Sequence, residues 1–360
     1  MTTQTKRYNH VNSGLLHPLP GIPVKGTPTV YQQAEKLGGK FTRIINGLPP
    51  RGVANFSPSI LKQNNQTLIA WRHQPEAFGF RYDNKYFYLN NQPNKILIGK
   101  LANDSTIVGT KNIRNEKQRL SLEDPRLFND DRGNVYCSFV TSTYASKYDK
   151  RHYSRFNLPK VAVGFIDEVG DAIAVTYPNI GFNHEKDRPE KNWCFFTKDN
   201  ELHCLYSTRN IIIESQSLKK YEINSECLNE VTHGAPTFNS LPPIDLGDEY
   251  LIFYHWKQSK KELSGAPFLE YKLSAYTLDK KLSKVTGLVK ESLFTGSAND
   301  ELIAWTNFAA QQISRQPAVI LPFGGFLEEN ELVMSLGVND HFMGIFRTDV
   351  NNVLNKLSRI

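Results

Sequence analysis

The chain has 360 residues and a formal net charge of +7, and it contains 39% hydrophobic and 22% charged residues. Its 21 Phe and 16 Tyr exclude a disordered chain and supply enough apolar surface for a core. The basic residues lie in scattered groups such as Lys257, Lys260 and Lys261, and no nucleic-acid motif accompanies them. We therefore predict a solvated basic surface and no nucleic-acid partner.

Residues 1–14 are polar and lack the apolar run of a secretory signal, and no stretch of the sequence is apolar enough to span a membrane. These features predict a cytoplasmic protein without a membrane partner. The four cysteines show no metal-binding or redox spacing, so we expect buried free thiols and no metal site. No nucleotide or flavin motif is present, which predicts that no cofactor is required.

The first 40 residues are predicted to form a short helical or irregular extension. Pro18, Pro20, Pro23 and Pro28 argue against regular strand pairing in this segment, and residues 29–36 are a candidate helix. Residues 41–360 are assigned to one further domain, in which residues 299–313 are the other helix candidate.

Five segments of that domain share one pattern, in which a short strand, a polar turn and a second apolar strand follow one another. They are residues 55–73, 122–142, 190–208, 233–256 and 321–340. Their turns consist of residues that tolerate tight backbone geometry, such as Asn64-Asn65 and Asp199-Asn200. Each segment is therefore predicted to begin with a hairpin.

Further strand-like runs follow most of these hairpins, so each unit has three or four strands, as in a propeller blade. The sequence thus predicts an all-β fold, a five-bladed β-propeller. A two-sheet sandwich is the structural alternative, but it does not predict the same hairpin opening five times.

In a propeller the first strand of each blade lines the central channel, where ligands bind. Polar residues at the ends of the predicted strands mix carboxylates, amides, basic groups and aromatic rings, which suits a sugar. The candidate substrate-binding residues are Asn55, Ser57, Arg72, Glu123, Arg126, Tyr144, Asn192, His233, Tyr254 and Asp340. As an alternative, Asn55, Ser57 and Asn192 satisfy turn backbone, and Trp193 belongs to the core.

The cluster Glu123-Asp124-Pro125-Arg126 places three charges within four residues between apolar runs, where a strand should bury its side chains. This placement favours a functional role for the cluster. We expect Arg126 to pair with a carboxylate in the channel.

Several of these segments resemble glycoside hydrolase family 130, the five-bladed propellers that include β-mannoside phosphorylases and β-mannosidases. The resemblance covers residues 54–346 and is carried by Ser57-Pro58-Ser59-Ile60, Glu123-Asp124-Pro125-Arg126, Glu190-Lys191-Asn192-Trp193, His233-Gly234-Ala235-Pro236, Tyr254-His255 and Gly337-Val338-Asn339-Asp340. It implies an inverting enzyme that cleaves β-mannosides or related oligosaccharides with phosphate, or transfers mannosyl units. Asp124 is then the proton donor.

The resemblance also implies that Lys191, Arg209 and His255 bind phosphate as a cosubstrate. The chain departs from the family in lacking the arginine pair that the phosphorylases tend to carry in the third blade. Two alternatives therefore stay open: a β-mannoside hydrolase, for which Glu190 and Glu270 are the candidate bases, and a noncatalytic glycan-binding propeller. The sequence also leaves homo-oligomer formation open.

Overall fold

The computed structural model describes residues 17–19, 28–44, 54–74, 77–82, 85–90, 94–113, 120–143, 160–167, 172–176, 191–207, 211–214, 219–261, 267–297, 299–300, 302–307, 312–314, 318–340 and 342–360. Within these residues most of the chain is in strands. The helices are short, namely α1 (Val30–Lys36), α2 (Leu228–Thr232) and α3 (Asn351–Leu354). The all-β fold class predicted from the sequence is confirmed.

Three four-stranded antiparallel sheets follow one another along the chain, and each has its strands in sequence order. Sheet 1 consists of Ala54–Gln63, Gln66–Gln74, Lys95–Leu101 and Ile107–Asn112. Sheet 2 consists of Leu120–Asn129, Val135–Thr143, Lys160–Ile166 and Ala172–Thr176. Sheet 3 consists of Cys194–Lys198, Glu201–Ser207, Ile211–Glu214 and Lys220–Glu222. A separate hairpin is formed by Ala77–Tyr82 and Lys85–Asn90.

Two further sheets take strands from the chain ends. Sheet 4 has the order Thr237–Asn239, Glu249–Lys261, Pro267–Asp279, Val285–Val289 and Leu357–Arg359, and the short strands Ile244–Asp245 and Phe294–Thr295 pair at its sides. Sheet 5 consists of Ile320–Glu328, Glu331–Val338, Phe342–Asp349 and the N-terminal strand Lys40–Arg43. The start of the chain thus completes the last sheet.

The predicted hairpins open sheets 1, 2, 3 and 5, and their turns lie where the sequence indicated. Asn64, Asp199, Asn200 and Glu329 have φ between 49° and 61°. Asn and Asp adopt this left-handed region more readily than most residues, which explains why they occupy three of these turn positions. In sheet 4 the first strand of the hairpin is interrupted, so Thr237–Asn239 and Ile244–Asp245 both pair with Glu249–Lys261.

Two expectations, one for a helix and one for the N-terminal segment, are corrected. Residues 299–313 are not helical, because Leu302–Asn307 and Gln312–Ser314 pair as strands. His17–Leu19 also forms a strand, at the edge of this small sheet beside Leu302–Asn307. An edge strand tolerates Pro18 because the missing N–H can lie on the unpaired side.

Among the described residues the core divides into five clusters, each between two consecutive sheets. Representative members are Leu127 between sheets 1 and 2, Phe195 between sheets 2 and 3, Tyr276 between sheets 3 and 4, Phe346 between sheets 4 and 5, and Trp71 between sheets 5 and 1. Helix α1 adds its buried residues Val30 and Ala34 to the cluster of sheets 4 and 5. The domain boundary drawn at residue 40 stays a prediction.

Close backbone approaches connect the first strands of neighbouring sheets. Ser59 Oγ donates to Phe323 O at 3.1 Å and accepts from Leu127 N at 2.8 Å, so one hydroxyl joins sheets 5, 1 and 2. Gly324 lies so close to Ile60 that an added Cβ would be 2.3 Å from its backbone nitrogen. Only glycine allows this approach. The first strands of sheets 5, 1 and 2 therefore converge.

Candidate active site

Asp124 lies at a β-bulge in the first strand of sheet 2, where Asp124 and Pro125 together oppose the single residue Phe139. Its φ is +54°, which L-residues rarely adopt and which a following proline does not favour. Bulges re-aim side chains and are frequent next to active sites. The Asp124 side chain keeps 17% of its surface exposed. Ser57 Oγ donates to Asp124 Oδ1 at 3.3 Å.

Glu123 is held between two basic residues. Its carboxylate lies 3.3 Å from Arg72 Nη2 and 3.1 Å from Lys191 Nζ, and Asn94 Nδ2 donates to it at 3.4 Å. Burial opposes ionisation, but the positive charges of Arg72 and Lys191 prevail and lower the pKa of Glu123 to about 2. Arg72 Nη1 is also 3.8 Å from Asp124 Oδ1. Glu123 is therefore a fixed anion that orients both cations beside Asp124.

Lys191 stays charged in this cluster. Burial works against its charge, but the carboxylates of Glu123 and Asp124 outweigh that effect and raise the pKa of Lys191.

Asp340 brings a further carboxyl group to the cluster from the turn after the second strand of sheet 5. Burial is the main cause that raises the pKa of Asp340 to about 6. The negative charges of Asp124 and Glu123 add to this rise, whereas Arg72 and Lys191 oppose it. The neighbouring Asn339 fixes the turn, because its side chain accepts from Val319 N at 2.9 Å and donates to Ser297 O at 3.0 Å.

Among the residues that the structure describes, no carboxylate forms an ion pair with Arg126, whereas the sequence led us to expect one. Its Nε donates to Ser240 O at 3.0 Å, its Nη1 to Asp124 O at 3.2 Å and its Nη2 to Asn192 Oδ1 at 3.1 Å. The side chain is buried, and the guanidinium lies 5.1 Å from the ring centroid of Phe323.

His255 and Lys257 are two residues apart in the second strand of sheet 4 and therefore project from the same face. His255 is buried, and its ring stacks between Phe238 and Tyr271 at centroid distances of 5.4 and 6.0 Å. Burial first, and then the charges of Arg126 and Lys257, lower its pKa well below the ordinary value. His255 is therefore neutral at physiological pH, and its Nδ1 shares a 3.0 Å hydrogen bond with Ser240 Oγ.

Lys257 and Tyr271 are the residues that the sequence reasoning missed. Lys257 Nζ lies 4.9 Å from the ring centroid of Tyr271. Burial and the charge of Lys191 lower the pKa of Lys257, and the carboxylates of Asp340 and Asp124 oppose this. Burial and the same two carboxylates raise the pKa of Tyr271 to about 12. The signal that could have found Lys257 is its two-residue spacing from His255, which puts it on the same face of one strand.

Two other predicted residues have partners within the fold. Tyr254 is fully buried in the cluster between sheets 3 and 4, stacked on Trp256. Asn55 accepts from Trp71 Nε1 at 3.1 Å and lies 2.8 Å from His73 Nδ1, so its amide oxygen serves the fold of sheet 1.

His233 is exposed at the C-terminal end of α2, with φ +51°. Glu270 is 3% exposed, so its side chain is removed from solvent. Tyr144, Glu190 and Arg209 lie outside the described residues.

In the part of the chain that the structure describes, no group of three His, Cys, Asp or Glu residues could hold a metal ion. The helices described there are all too short or too polar to cross a membrane.

No protein-family model matches the sequence, and no curated protein matches it either. Solved structures are similar in fold. A mannose phosphorylase from Leishmania mexicana, in complex with phosphate, has a TM-score of 0.54 and 13% identity, covering 86% of this chain and 87% of its own. A β-1,2-mannobiose phosphorylase from Listeria innocua, in complex with β-1,2-mannobiose, has a TM-score of 0.52 and 15% identity, covering 88% and 96%.

A GDP-Man-dependent mannosyltransferase from Leishmania mexicana has a TM-score of 0.50 and 13% identity, covering 83% of this chain and 86% of its own. At such identities the likeness concerns the fold. The resemblance to mannoside phosphorylases expected from the sequence is confirmed at that level.

Proposed function

We propose that the five sheets are the blades of a closed five-bladed β-propeller and that the chain is a carbohydrate-active enzyme whose site lies at their centre. The support for the propeller is the succession of the core clusters, which join sheet 1 to 2, 2 to 3, 3 to 4, 4 to 5 and 5 to 1. A ring of blades removes the exposed strand edges of separate sheets.

The observation that carries the enzymatic proposal is the setting of Asp124. The Asp124 carboxylate lies at a strained bulge, accepts a hydrogen bond from Ser57 and has Arg72 and Lys191 beside it. Binding of a neutral sugar does not require such a carboxylate. Strained backbone of this kind persists only where the surroundings enforce it, and it clusters at functional sites. A noncatalytic glycan-binding propeller needs no such carboxylate.

The proposed reaction is inverting phosphorolysis of a β-mannoside. A phosphate oxygen bonds to the anomeric carbon on one face while the bond to the glycosidic oxygen breaks on the other. Asp124 first takes up a proton from solvent and gives it to a sugar hydroxyl, and that hydroxyl passes its own proton to the leaving oxygen. The products are mannose 1-phosphate and the shortened sugar, and Asp124 is left as the carboxylate. General acid catalysis of this type contributes typically about 10²- to 10⁴-fold to the rate.

For the anion we propose Lys191 and Lys257 as the charged ligands. The negative charge of Asp124 favours the charged form of both lysines, and that of Asp340 favours the charged form of Lys257 as well. This electrostatic coupling supports a place for both lysines beside the reacting centre. His255 is neutral and buried, so in this proposal it positions neighbouring groups and adds no charge. Arg209 stays a predicted ligand.

The similar folds include phosphorylases and a GDP-Man-dependent transferase, so the fold does not decide between phosphorolysis and transfer. Incubation with β-1,2-mannobiose and other mannobioses, with and without phosphate, separates the outcomes. Phosphorolysis yields mannose 1-phosphate only when phosphate is present, whereas hydrolysis yields free mannose in both cases. GDP-mannose as donor tests transfer. An inactive protein that still binds mannobiose would support the noncatalytic alternative.

A further inference from the structure

Arg126 connects four sheets. It lies in sheet 2 and donates to Ser240 O directly after the first strand of sheet 4, to Asn192 Oδ1 two residues before the first strand of sheet 3 and to Asp124 O of its own strand. Its guanidinium lies 5.1 Å from the ring centroid of Phe323, in the first strand of sheet 5. The side chain is only 2% exposed. All three nitrogens of the guanidinium are thus engaged inside the protein.

Two of the Arg126 partners have unusual backbone geometry. Asp124 has φ +54° and Asn192 has φ +64°, and neither is glycine. Such conformations are unfavourable for an isolated L-residue and persist only when surrounding contacts determine them. The hydrogen bond from Arg126 Nη1 to the Asp124 carbonyl holds the bulge directly, and Nη2 fixes the side chain of Asn192 at the same time.

We infer that Arg126 is a positioning residue that sets the Asp124 bulge and thereby the direction of the Asp124 carboxyl group. A planar guanidinium suits this role because its fork of donors fixes several acceptors in one geometry, which a lysine ammonium does not reproduce. In this inference Arg126 is not a sugar ligand, because each of its three guanidinium nitrogens already donates to a protein acceptor and the residue is buried beside the Phe323 ring. The kinetic part of this inference rests on the proposed function.

Crystal structures of the wild type and of Arg126→Lys test the geometry without any substrate. We expect Arg126→Lys to fold, with Asp124 leaving the positive φ region or its carboxyl group losing the contact with Ser57. An unchanged bulge with an unchanged carboxyl direction would overturn the inference. Arg359→Lys is the matched control, because Arg359 is a surface residue bonded to Glu249, and it should leave the bulge as in the wild type.

Kinetics then distinguish positioning from binding. Misplacing a reacting group by about 1 Å can reduce turnover about 100-fold, so kcat of Arg126→Lys should fall at least about tenfold. The sugar KM should stay within about threefold, because no substrate contact is removed. A raised sugar KM with unchanged kcat would identify Arg126 as a substrate ligand and overturn the inference.

A second variant covers the case in which Arg126→Lys does not fold. Phe323→Leu removes the ring beside the guanidinium but keeps every hydrogen-bonding group. Like Arg126→Lys, Phe323→Leu should shift the bulge and lower kcat. A folded Phe323→Leu protein with the bulge and kcat of the wild type would contradict the positioning role and leave Arg126 a purely structural one. If the wild type is inactive on every mannoside and donor, the proposed function fails, and the crystal structures alone decide the role of Arg126.

Discussion

Ser57 and Asp124 occupy the same position in neighbouring sheets. Each lies in the first strand, precedes a proline and has a positive φ, +52° for Ser57 and +54° for Asp124. Each forms a bulge with its proline, so that two residues oppose one on the next strand. The repeat thus brings two similar bulges together, and the Ser57 hydroxyl donates to Asp124 Oδ1 at 3.3 Å.

This relationship predicts different effects for two substitutions of Ser57. Both Ser57→Ala and Ser57→Gly remove the hydrogen bond to Asp124, but only glycine adopts the positive φ freely. We expect similar losses of kcat in the two variants. Ser57→Gly should be more stable than Ser57→Ala by about 1 kcal/mol and should therefore unfold at a higher temperature. Thermal unfolding and turnover of both variants check this. Higher stability of Ser57→Ala would show that the backbone relaxes there.

Asp124→Asn should abolish turnover and leave the fold and sugar binding nearly intact. The amide has almost the same size as the carboxyl group but cannot supply a proton, so the rate should fall at least about 10²-fold. Turnover, circular dichroism and mannobiose binding are the measurements. Asp245→Asn, on the exposed surface of sheet 4, is the control. If Asp124→Asn keeps more than about a tenth of the activity, the proton donor lies elsewhere.

Lys257→Gln should raise the phosphate KM more than about tenfold, because charge-assisted hydrogen bonds contribute about 1.5 to 3 kcal/mol each. Sugar affinity should change little. Lys280→Gln is the control, since Lys280 pairs with the exposed Asp245. The same comparison with Arg209→Ala tests the ligand predicted from the sequence. Equal phosphate dependence in the wild type and Lys257→Gln would remove Lys257 from the site.

Asp340 makes stability depend on pH. Its folded pKa of about 6 exceeds the ordinary 3.8, so the folded protein binds more protons than the unfolded chain between these values. Stability from this group therefore falls as pH rises through that window, by about 1 to 3 kcal/mol.

Asp340→Asn removes this effect, so its melting temperature relative to the wild type should rise between pH 4 and about pH 7. Melting curves across this range measure the difference. Asp248→Asn, in an exposed turn, should show a constant difference. A difference that does not change with pH for Asp340→Asn as well would contradict the pKa.

Removal of the N-terminal residues should destabilise the protein in two steps. A chain that starts at Gly39 loses Val30, Ala34 and Leu37 from the core but keeps the strand Lys40–Arg43. It should still unfold cooperatively, with stability lower by several kcal/mol, since a buried Val or Leu side chain contributes about 1.5 to 3 kcal/mol.

A chain that starts after Arg43 also loses the fourth strand of sheet 5 and should unfold without a cooperative transition. Calorimetry of both truncations checks these outcomes. Unchanged melting of the Gly39 chain would mean that α1 contributes nothing to the core.

The hairpins could be read from the sequence because a hairpin is a local structure. Alternating apolar residues around Asn64-Asn65 or Asp199-Asn200 specify both strands and the turn between them. Residues 299–313 show the limit of such reasoning, since a short apolar run suits a helix or a strand. Leu302–Asn307 is a strand because it pairs with His17–Leu19, a segment that is distant in sequence.

The sequence by itself determined the all-β class, the repeated hairpins and the Glu123-Asp124-Pro125-Arg126 cluster, because turn chemistry and strand alternation act between near neighbours. Only the tertiary structure decided which side chains meet. It placed Tyr254 in the core, gave Arg126 main-chain and amide partners in place of a carboxylate, and brought Lys257 into the electrostatic reach of Asp124. The physical reason is that these contacts join residues of different sheets, and their geometry depends on how the sheets pack against one another.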